Sequence, residues 1–261
     1  MSETERFENE VAGNIAGLKR DTDVQALSRI WLREITRHKY AYNFRWLGRP
    51  AIQFPQDTVA LQELIWDARP DLVIETGIAH GGSLMLSASL LALLDYCEAA
   101  EAGTVLDPRT PKRKVLGIDI DIRRHNREAI EGHPMAARIE MIEGSSIDAD
   151  VVQRVRQRAA GQRVLVLLDS NHTHDHVLAE LEAYATLVGS GGYCVVYDTL
   201  IEDMPDDLIH DRPWGRGNNP KTAVREFLSR NKGFVVNEDI EAKLLITVAP
   251  GGYLRRVADG G

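Results

Sequence analysis

Residues 164–176 read VLVLLDSNHTHDH, and this segment indicates how the chain folds. The six residues from Val164 to Asp169 form an apolar run that ends in a carboxylate. No polar residue interrupts the run, so as a strand it would be buried on both faces, as central parallel strands are. Because open α/β sheets bind ligands at the carboxyl ends of their strands, Asp169 and the nearby His172 are candidate site residues. The alternative interpretation is that the aspartates only cap the following helix and the histidines are solvated.

Four similar apolar runs lie elsewhere in the chain, separated by segments with helical periodicity. They are Leu72 to Glu75, Val115 to Asp119, Arg138 to Ile142 and Tyr193 to Asp198, and each ends in an acid or is followed by one. Together with the intervening helices, the five strands predict a doubly wound α/β sheet with acids along one edge. The apolar segments 234–236 and 244–248 predict a closing hairpin.

The region before the sheet divides into three parts. Residues 1–20 are polar, and we expect them to be frayed. Residues 23–40 have an amphipathic helical pattern. The aromatic segment 40–50 either packs on the core or lines the mouth of a site. The predicted domains are therefore an N-terminal helical and aromatic extension, 1–50, and a ligand-binding domain, 51–261. A further helix is expected with Asp57 as its N-cap.

Composition excludes several classes of protein. The formal net charge is −8 and the pI is near 5.5, which disfavours nucleic acids and anionic membranes as partners. No run approaches the roughly 20 apolar residues of a membrane span, and the N-terminus lacks the features of a signal peptide. The two cysteines lie in apolar stretches, as core residues do. We therefore expect a cytoplasmic protein.

A glycine-containing loop follows the first strand of the sheet. Residues 75–83 read ETGIAHGGS and precede a strongly apolar helix. Glycines let a backbone approach a ligand closely, and the helix start adds N–H donors. The spacing does not match the dinucleotide fingerprint G-x-G-x-x-G. Asp119, at the tip of the next strand, is placed to accept ribose hydroxyls. Ser145 and Ser146 either face an adenine ring or form a turn and helix cap.

Two acids end successive strands in the second half of the sheet, Asp169 and Asp198. Two carboxylates at one site repel each other unless a cation lies between them, and oxygen ligands favour Mg²⁺. A metal there could lower the pKa of a substrate hydroxyl, and His172 could take its proton. The long segment 199–219, with Glu202, Asp203, His210 and Trp214, is expected to be functional because long loops in compact domains usually are.

Several segments together resemble the cephalosporin hydroxylase / rhamnosyl O-methyltransferase family. They are IETGIAHGGSL, VLGIDIDIRRHN, MIEGSS, LLDSNHTHDHVLAEL and the run from GYCVVYDT to RPWGRGNNPKTAVREFL, and the resemblance covers roughly residues 40–250. It implies a Rossmann-like, seven-stranded sheet of the class I methyltransferase type with an antiparallel last strand. It also implies S-adenosylmethionine as cofactor, Mg²⁺ or another divalent cation, and a hydroxylated small-molecule acceptor, a sugar or natural product.

The resemblance also implies roles for individual residues. The cofactor would be bound by Glu75, Gly77, His80, Gly81, Gly82, Ser83, Asp119, Ser145, Ser146 and Asp169. The metal ligands would be Asp169 and Asp198, and Glu202 or Asp203 would be an additional ligand. His172 would be the base. One departure matters. Related enzymes place a second acid immediately before the position of Asp198, whereas this chain has Tyr197. The metal site could therefore be weaker, use Glu202 or Asp203, or be lost.

Three other hypotheses stay open at this point. The first is a cephalosporin-hydroxylase-type oxygenase or its partner, with iron held by His172, His174 and Asp169. The second is a zinc hydrolase built on His172, His174, Asp175 and His176. The third is a non-catalytic cofactor-binding module. The resemblance further favours a homo-oligomer.

Overall fold

A computed structural model describes residues 1–208 and 211–257. The chain forms nine α-helices and nine strands in these ranges, besides short 3-10 turns. The helices are α1 (Glu3–Arg20), α2 (Thr22–Arg37), α3 (Pro55–Ala68), α4 (Gly82–Ala102), α5 (Arg124–Glu131), α6 (Ala149–Ala159), α7 (His174–Tyr184), α8 (Pro220–Arg230) and α9 (Glu238–Leu244). The strands are β1 (Phe44–Trp46), β2 (Arg49–Ala51), β3 (Leu72–Thr76), β4 (Lys114–Asp119), β5 (Ile139–Glu143), β6 (Val164–Leu168), β7 (Tyr193–Val196), β8 (Phe234–Val236) and β9 (Tyr253–Arg256).

Seven strands form one sheet in the order β5-β4-β3-β6-β7-β9-β8. The first five pair in parallel, and β9 pairs antiparallel with both β7 and β8. Both faces of the sheet carry an apolar core, so β3 and β6 are buried along their whole length. The predicted class I methyltransferase fold, with its antiparallel last strand, is confirmed. Strands β3 and β6 lie side by side although they are not consecutive in the chain, so the strand order reverses between them. This topological switch point lies beside the glycine loop that follows β3.

Three local predictions were wrong. Residues 1–20 are not frayed but form α1, whose capping box joins Ser2 and Glu5 and whose body packs against α9. Segment 244–248 is not a strand, because the chain first turns through α9 and the last strand is β9. Asp57 lies within the first turn of α3, where Phe54 is the N-cap residue and Pro55 begins the helix.

Helix α4 is long and apolar enough, by length and composition, to cross a membrane, although the sequence prediction expected no such segment. Half of its most apolar window is buried inside the protein. Leu84, Met85 and Leu91 on this helix are fully buried in the core. Since core helices of soluble proteins pass the same test, the finding is weak evidence for a membrane span.

The N-terminal aromatic segment packs against the ligand-binding domain. Tyr40 makes edge contacts with the rings of Phe44 and Phe54. Trp46 Nε1 donates to Ser89 Oγ on α4 at 2.9 Å. The β1–β2 hairpin is thereby fixed next to the start of α4, which forms one side of the glycine loop.

Candidate functional site

Three side chains that could bind a metal converge beyond β6 and β7. Asp169 directly follows β6, Asp198 follows β7 after one residue, and His172 lies between β6 and α7. One ligand atom of each lies within 4.8 Å of the others. The Nε2 atom of His172 is 3.2 Å from Asp198 Oδ2. Because β6 and β7 are hydrogen-bonded neighbours, their carboxyl ends bring the two aspartates to one place.

The backbone at Asp198 has an uncommon conformation. Its φ is 54° and its ψ is 20°, in the left-handed region that non-glycine residues rarely occupy. The next residues are held in place: Leu200 N donates to Val248 O at 3.3 Å, and Thr199 Oγ1 donates to Pro250 O at 2.9 Å. Strained residues of this kind cluster at functional sites, where the surroundings enforce them. The turn directs the Asp198 carboxylate toward His172.

The electrostatics of the group suit a bound cation. Burial raises the pKa of the Asp169 carboxyl well above its usual value, and repulsion from Asp198 raises it further. A divalent ion between the two carboxylates would remove this penalty, because it would be the largest local charge in the site. The two carboxylates supply the oxygen ligands through which Mg²⁺ usually binds to proteins, and the imidazole beside them stays available as a base. The residues present therefore fit the implied cation.

The three histidines of the 170–176 segment point to three different places. Both ring nitrogens of His174 are engaged on α8, Nδ1 by Thr222 Oγ1 at 2.8 Å and Nε2 by Glu226 Oε2 at 3.1 Å. His176 faces Ser146 and Glu180 instead. The iron triad that the oxygenase hypothesis requires and the zinc cluster of the hydrolase hypothesis are therefore not assembled in the described part of the chain.

The glycine loop lies directly against the group formed by Asp169, His172 and Asp198. Gly77 has a φ of +88°, and a Cβ atom there would be 2.1 Å from the backbone oxygen of Asp169. Only glycine allows this approach, which joins the end of β3 to the end of β6. Asp119 Oδ2 accepts hydrogen bonds from the amides of Ile78 and Ala79, at 2.8 and 3.2 Å. Asp119 thus holds the loop and remains partly exposed at the tip of β4.

Two residues that sequence analysis missed brace the loop from outside. Arg49 on β2 donates to the backbone oxygen of His80 through Nε at 2.9 Å and Nη2 at 2.7 Å, and to Asn126 Oδ1 at 2.9 Å. Asn126 in turn donates to the backbone oxygen of Ala79 at 2.9 Å. Both residues lie in segments that the sequence analysis singled out, but no local signal gave either one a role, because their partners lie elsewhere in the fold. These hydrogen bonds connect the outer side of the loop to β2 and α5.

Glu75 is buried beneath the loop at the end of β3, with 2% of its surface exposed. Ser87 Oγ on α4 is 3.4 Å from its Oε2. Burial raises the pKa of the Glu75 carboxyl to about 7, and hydrogen bonds from Ser83 and Ser87 oppose this. A cationic ligand would stabilise the ionised form of this buried carboxyl, whose pKa lies near 7. The sulfonium and amino groups of the implied cofactor are cations of this kind. Its neighbours Gly81, Gly82 and Ser83 form the turn into α4.

The predicted adenine-facing serines have different environments. Ser145 is partly exposed, and Ser146 is buried with its hydroxyl donated to Glu180. Both follow β5, which is the outer neighbour of β4. The carboxyl ends of β3, β4 and β5 therefore carry, in this order, the glycine loop, Asp119 and Ser146.

Glu202, the predicted additional metal ligand, is not brought into the group. Its Oε2 accepts from the Gly217 amide at 2.8 Å and from Asn219 Nδ2 at 2.5 Å, while its Oε1 faces Arg225 at 3.4 Å. The reason is that the 3-10 turn 199–203 directs Glu202 toward the start of α8. Asp203, the other possible recruit, is bonded to Lys221 at 2.5 Å. Both acids hold the 199–219 segment.

That segment carries one aromatic residue to the site. The rings of Trp214 and His172 meet edge to face, with centroids 4.7 Å apart. Fully buried Asn219 fixes the loop end by donating to Gly215 O at 2.8 Å as well as to Glu202. His210, which was also expected in this segment, lies outside the described residues. The described part of the segment thus forms a wall beside His172.

A cavity of about 600 Å³ separates this segment from α2. Gln25, Arg29 and Leu32 of α2 line it on one side, and Glu202 and Met204 on the other.

Tyr197, which stands where related enzymes place an acid, is buried beside the site with 4% of its surface exposed.

Comparison with known proteins gives a consistent result. The family model for "Rhamnosyl O-methyltransferase/CmcI" matches residues 38–257. A rhamnosyl O-methyltransferase of Mycobacterium bovis is 28% identical over 232 residues, which cover 84% of this chain and 83% of the relative. Its counterpart in Mycobacterium leprae is 27% identical over 174 residues, which cover 64% and 68%.

Solved structures agree at the level of the fold. CmcI with Mg and SAM has a TM-score of 0.50 and 19% identity, covering 83% of this chain and 78% of that chain. The apo structure of CalS11, a TDP-rhamnose 3'-O-methyltransferase of calicheamicin biosynthesis, also has a TM-score of 0.50, with 16% identity and coverage of 78% and 79%.

Proposed function

Since this chain belongs to the rhamnosyl O-methyltransferase/CmcI family and is an S-adenosylmethionine-dependent O-methyltransferase, we propose that it methylates a hydroxyl of a sugar or of a sugar-bearing natural product with the help of a divalent cation. The mycobacterial relatives are rhamnosyl O-methyltransferases, which supports a deoxysugar hydroxyl as the acceptor. The observation that carries the proposal is the convergence of Asp169, His172 and Asp198 beside the glycine loop.

Each residue of the group has a distinct task in this proposal. When bound, the cofactor supplies an electrophilic methyl group and the cation lowers the pKa of a hydroxyl that it contacts. Asp169 and Asp198 would hold the cation. His172 would act as the general base and accept the proton that the acceptor hydroxyl loses when its oxygen is methylated. General-base catalysis of this kind contributes about 10²- to 10⁴-fold.

The remaining residues would bind and orient. Gly77, His80, Gly81, Gly82 and Ser83 would surround the methionine part of the cofactor, with Glu75 below it. Asp119 would accept a ribose hydroxyl through Oδ1, since Oδ2 already accepts from the two loop amides and Oδ1 accepts only from the amide of Asp121. Alignment of oxygen, methyl and sulfur in a cavity with little water accounts for much of the expected rate gain.

The direct test is methyl transfer from labelled S-adenosylmethionine to methyl rhamnoside and a panel of rhamnosylated natural products. Wild-type protein should release S-adenosylhomocysteine, lose activity in EDTA and regain it with Mg²⁺ or Mn²⁺. Asp169→Ala and Asp198→Ala should lose both activity and calorimetric metal binding, while His172→Ala should keep cofactor binding. Arg33→Ala, on the exposed face of α2, is the control. If no acceptor is methylated and no cofactor binds, the proposal is wrong.

Other predictions accompany this proposal. The division at residue 50, the cytoplasmic location and a homo-oligomeric assembly follow from the sequence and from family resemblance. Sedimentation of the full chain tests the assembly.

A further inference from the structure

A buried carboxylate on α7 collects two serine hydroxyls from different strand ends. Glu180 has no exposed surface. Its Oε1 accepts from Ser146 Oγ at 2.5 Å and from Ser170 Oγ at 2.6 Å. Ser146 follows β5, and Ser170 follows β6. Tyr184 donates to the backbone oxygen of Ser146 and so fixes that residue as well. The arrangement joins the ends of two strands to α7 and is buried, so it is not a surface cluster.

The directions of the protons in this group follow from its chemistry. An ionised carboxylate only accepts, and each serine hydroxyl has one proton to give. Both protons therefore point inward to Glu180. His176 Nε2 lies 3.0 Å from Ser146 Oγ, 3.3 Å from Ser170 Oγ and 3.5 Å from Glu180 Oε1. With the hydroxyl protons committed, Nε2 is the donor in these contacts.

The group has more acceptors than donors. Glu180 Oε2 is buried and has no hydrogen-bond partner among the described residues. The two hydroxyls keep free lone pairs after donating to Oε1, and His176 supplies a single N–H. Buried polar groups are rarely left unpaired, so an unpartnered one calls for an explanation. A ligand that brings a hydrogen-bond donor would pair with the free lone pairs of the two hydroxyls, whereas Glu180 Oε2 is fully buried behind them.

The position of the group identifies which part of the cofactor it would meet. This step rests on the proposed function. Asp119, the residue placed for ribose, ends β4, and β5 is the neighbour of β4 on the outer side of the sheet. A base attached to that ribose would continue past β4, toward the loop that contains Ser146. Adenine presents a 6-amino donor, whereas hypoxanthine presents a 6-oxo acceptor.

We propose that Glu180 is a positioning residue that makes the cofactor site selective for adenine. By taking both hydroxyl protons, it turns the lone pairs of Ser146 and Ser170 toward the ligand. These oxygens accept from a 6-amino group and oppose a 6-oxo group. A 6-oxo group would meet the serine oxygens as one acceptor against another, and both would stay unpaired. This costs about 1–3 kcal/mol, which corresponds to roughly 5- to 150-fold in affinity.

Calorimetric binding of S-adenosylhomocysteine and S-inosylhomocysteine tests the proposal without knowledge of the methyl acceptor. Wild-type protein should prefer the adenine compound by about 10- to 100-fold. Glu180→Gln should reduce this ratio at least about five-fold, because the amide offers N–H donors and lets a serine turn its proton outward. Glu182→Gln, on the exposed side of the same helix, should leave the ratio unchanged.

The outcomes separate this inference from the proposed function. If wild-type protein binds neither compound, the proposed function fails, and this inference fails with it. If it binds both equally, or if folded Glu180→Gln keeps the wild-type ratio, only this inference is overturned. Thermal melting reports folding, and Ser170→Ala provides the same ratio test if Glu180→Gln does not fold. A merely structural role would weaken both ligands alike and leave their ratio unchanged.

Discussion

Replacing Glu75 with glutamine should stabilise the protein at neutral pH and weaken its binding of the cofactor. Glu75 is buried, and its pKa is raised from 4.5 to about 7, chiefly by burial. The folded state therefore disfavours the charged carboxylate. Glutamine has nearly the same shape, and its amide oxygen can still accept from Ser83 and Ser87. The substitution thus removes the cost of a buried charge while it keeps the packing.

The sign and size of the effect follow from the pKa values of the two states. Because the folded pKa lies above the unfolded one, the contribution of Glu75 to stability is fully present below pH 4.5 and is lost as the pH rises to about 7. Each unit of difference corresponds to about 1.4 kcal/mol. Glu75→Gln should therefore exceed wild type by up to roughly 3 kcal/mol above pH 7 and show little difference near pH 5.

Urea unfolding between pH 5 and pH 8 measures this difference. Glu101→Gln, an exposed glutamate on α4, is the matched control and should show no such trend. The same Glu75 variant should bind S-adenosylmethionine more weakly, because a cationic ligand favours the ionised carboxylate that glutamine lacks. A variant that is destabilised by the same amount at pH 5 and at pH 8 would refute the reasoning. Undiminished cofactor affinity would contradict the second part.

Three further substitutions address the site. Gly77→Ala should cost several kcal/mol and abolish cofactor binding, since its Cβ would overlap the backbone of Asp169; thermal melting and calorimetry check this. Trp214→Ala should lower kcat by up to about 100-fold through misplacement of His172, with less loss in Trp214→Phe, whereas equal activity of all three proteins would show that the ring contact has no role. Glu202→Gln should leave metal affinity within about two-fold, because the Glu202 carboxylate contacts Gly217 and Asn219 and not the metal-binding group. The lost contacts should cost at most about 1–3 kcal/mol of loop stability. Loss of metal binding in this variant would show that Glu202 is a ligand.

Buried hydrogen bonding also connects the two ends of the domain. Asp57 on α3 accepts from Val248 N at 3.0 Å and from Tyr253 Oη at 2.6 Å. Val248 O accepts from Leu200, two residues after Asp198. The chain that closes the sheet therefore supports the strained turn of the site. The sequence showed Asp57 only as a helix cap because its partners lie about 190 positions away.

Local pattern determined most of the fold. The apolar runs of β3, β4, β6 and β7 are long enough, and uninterrupted enough, to be recognised as buried strands, and the acid at each end follows directly in sequence. Whether Asp169 and Asp198 could meet depended only on β6 and β7 being neighbours, which is the usual arrangement of consecutive strands. The glycine loop was visible for the same reason, because it lies within one strand–turn–helix unit.

Only the tertiary structure decided where side chains from one short segment point. His172, His174 and His176 are alike in sequence, yet the first faces Asp198, the second faces α8 and the third faces Glu180. Their partners come from other elements, so no spacing rule within residues 170–176 could separate them. Glu202 turned toward Asn219 for the same reason. Strand patterns express local burial, whereas the site depends on contacts between residues far apart in the chain, and those exist only after the sheet and its helices have packed.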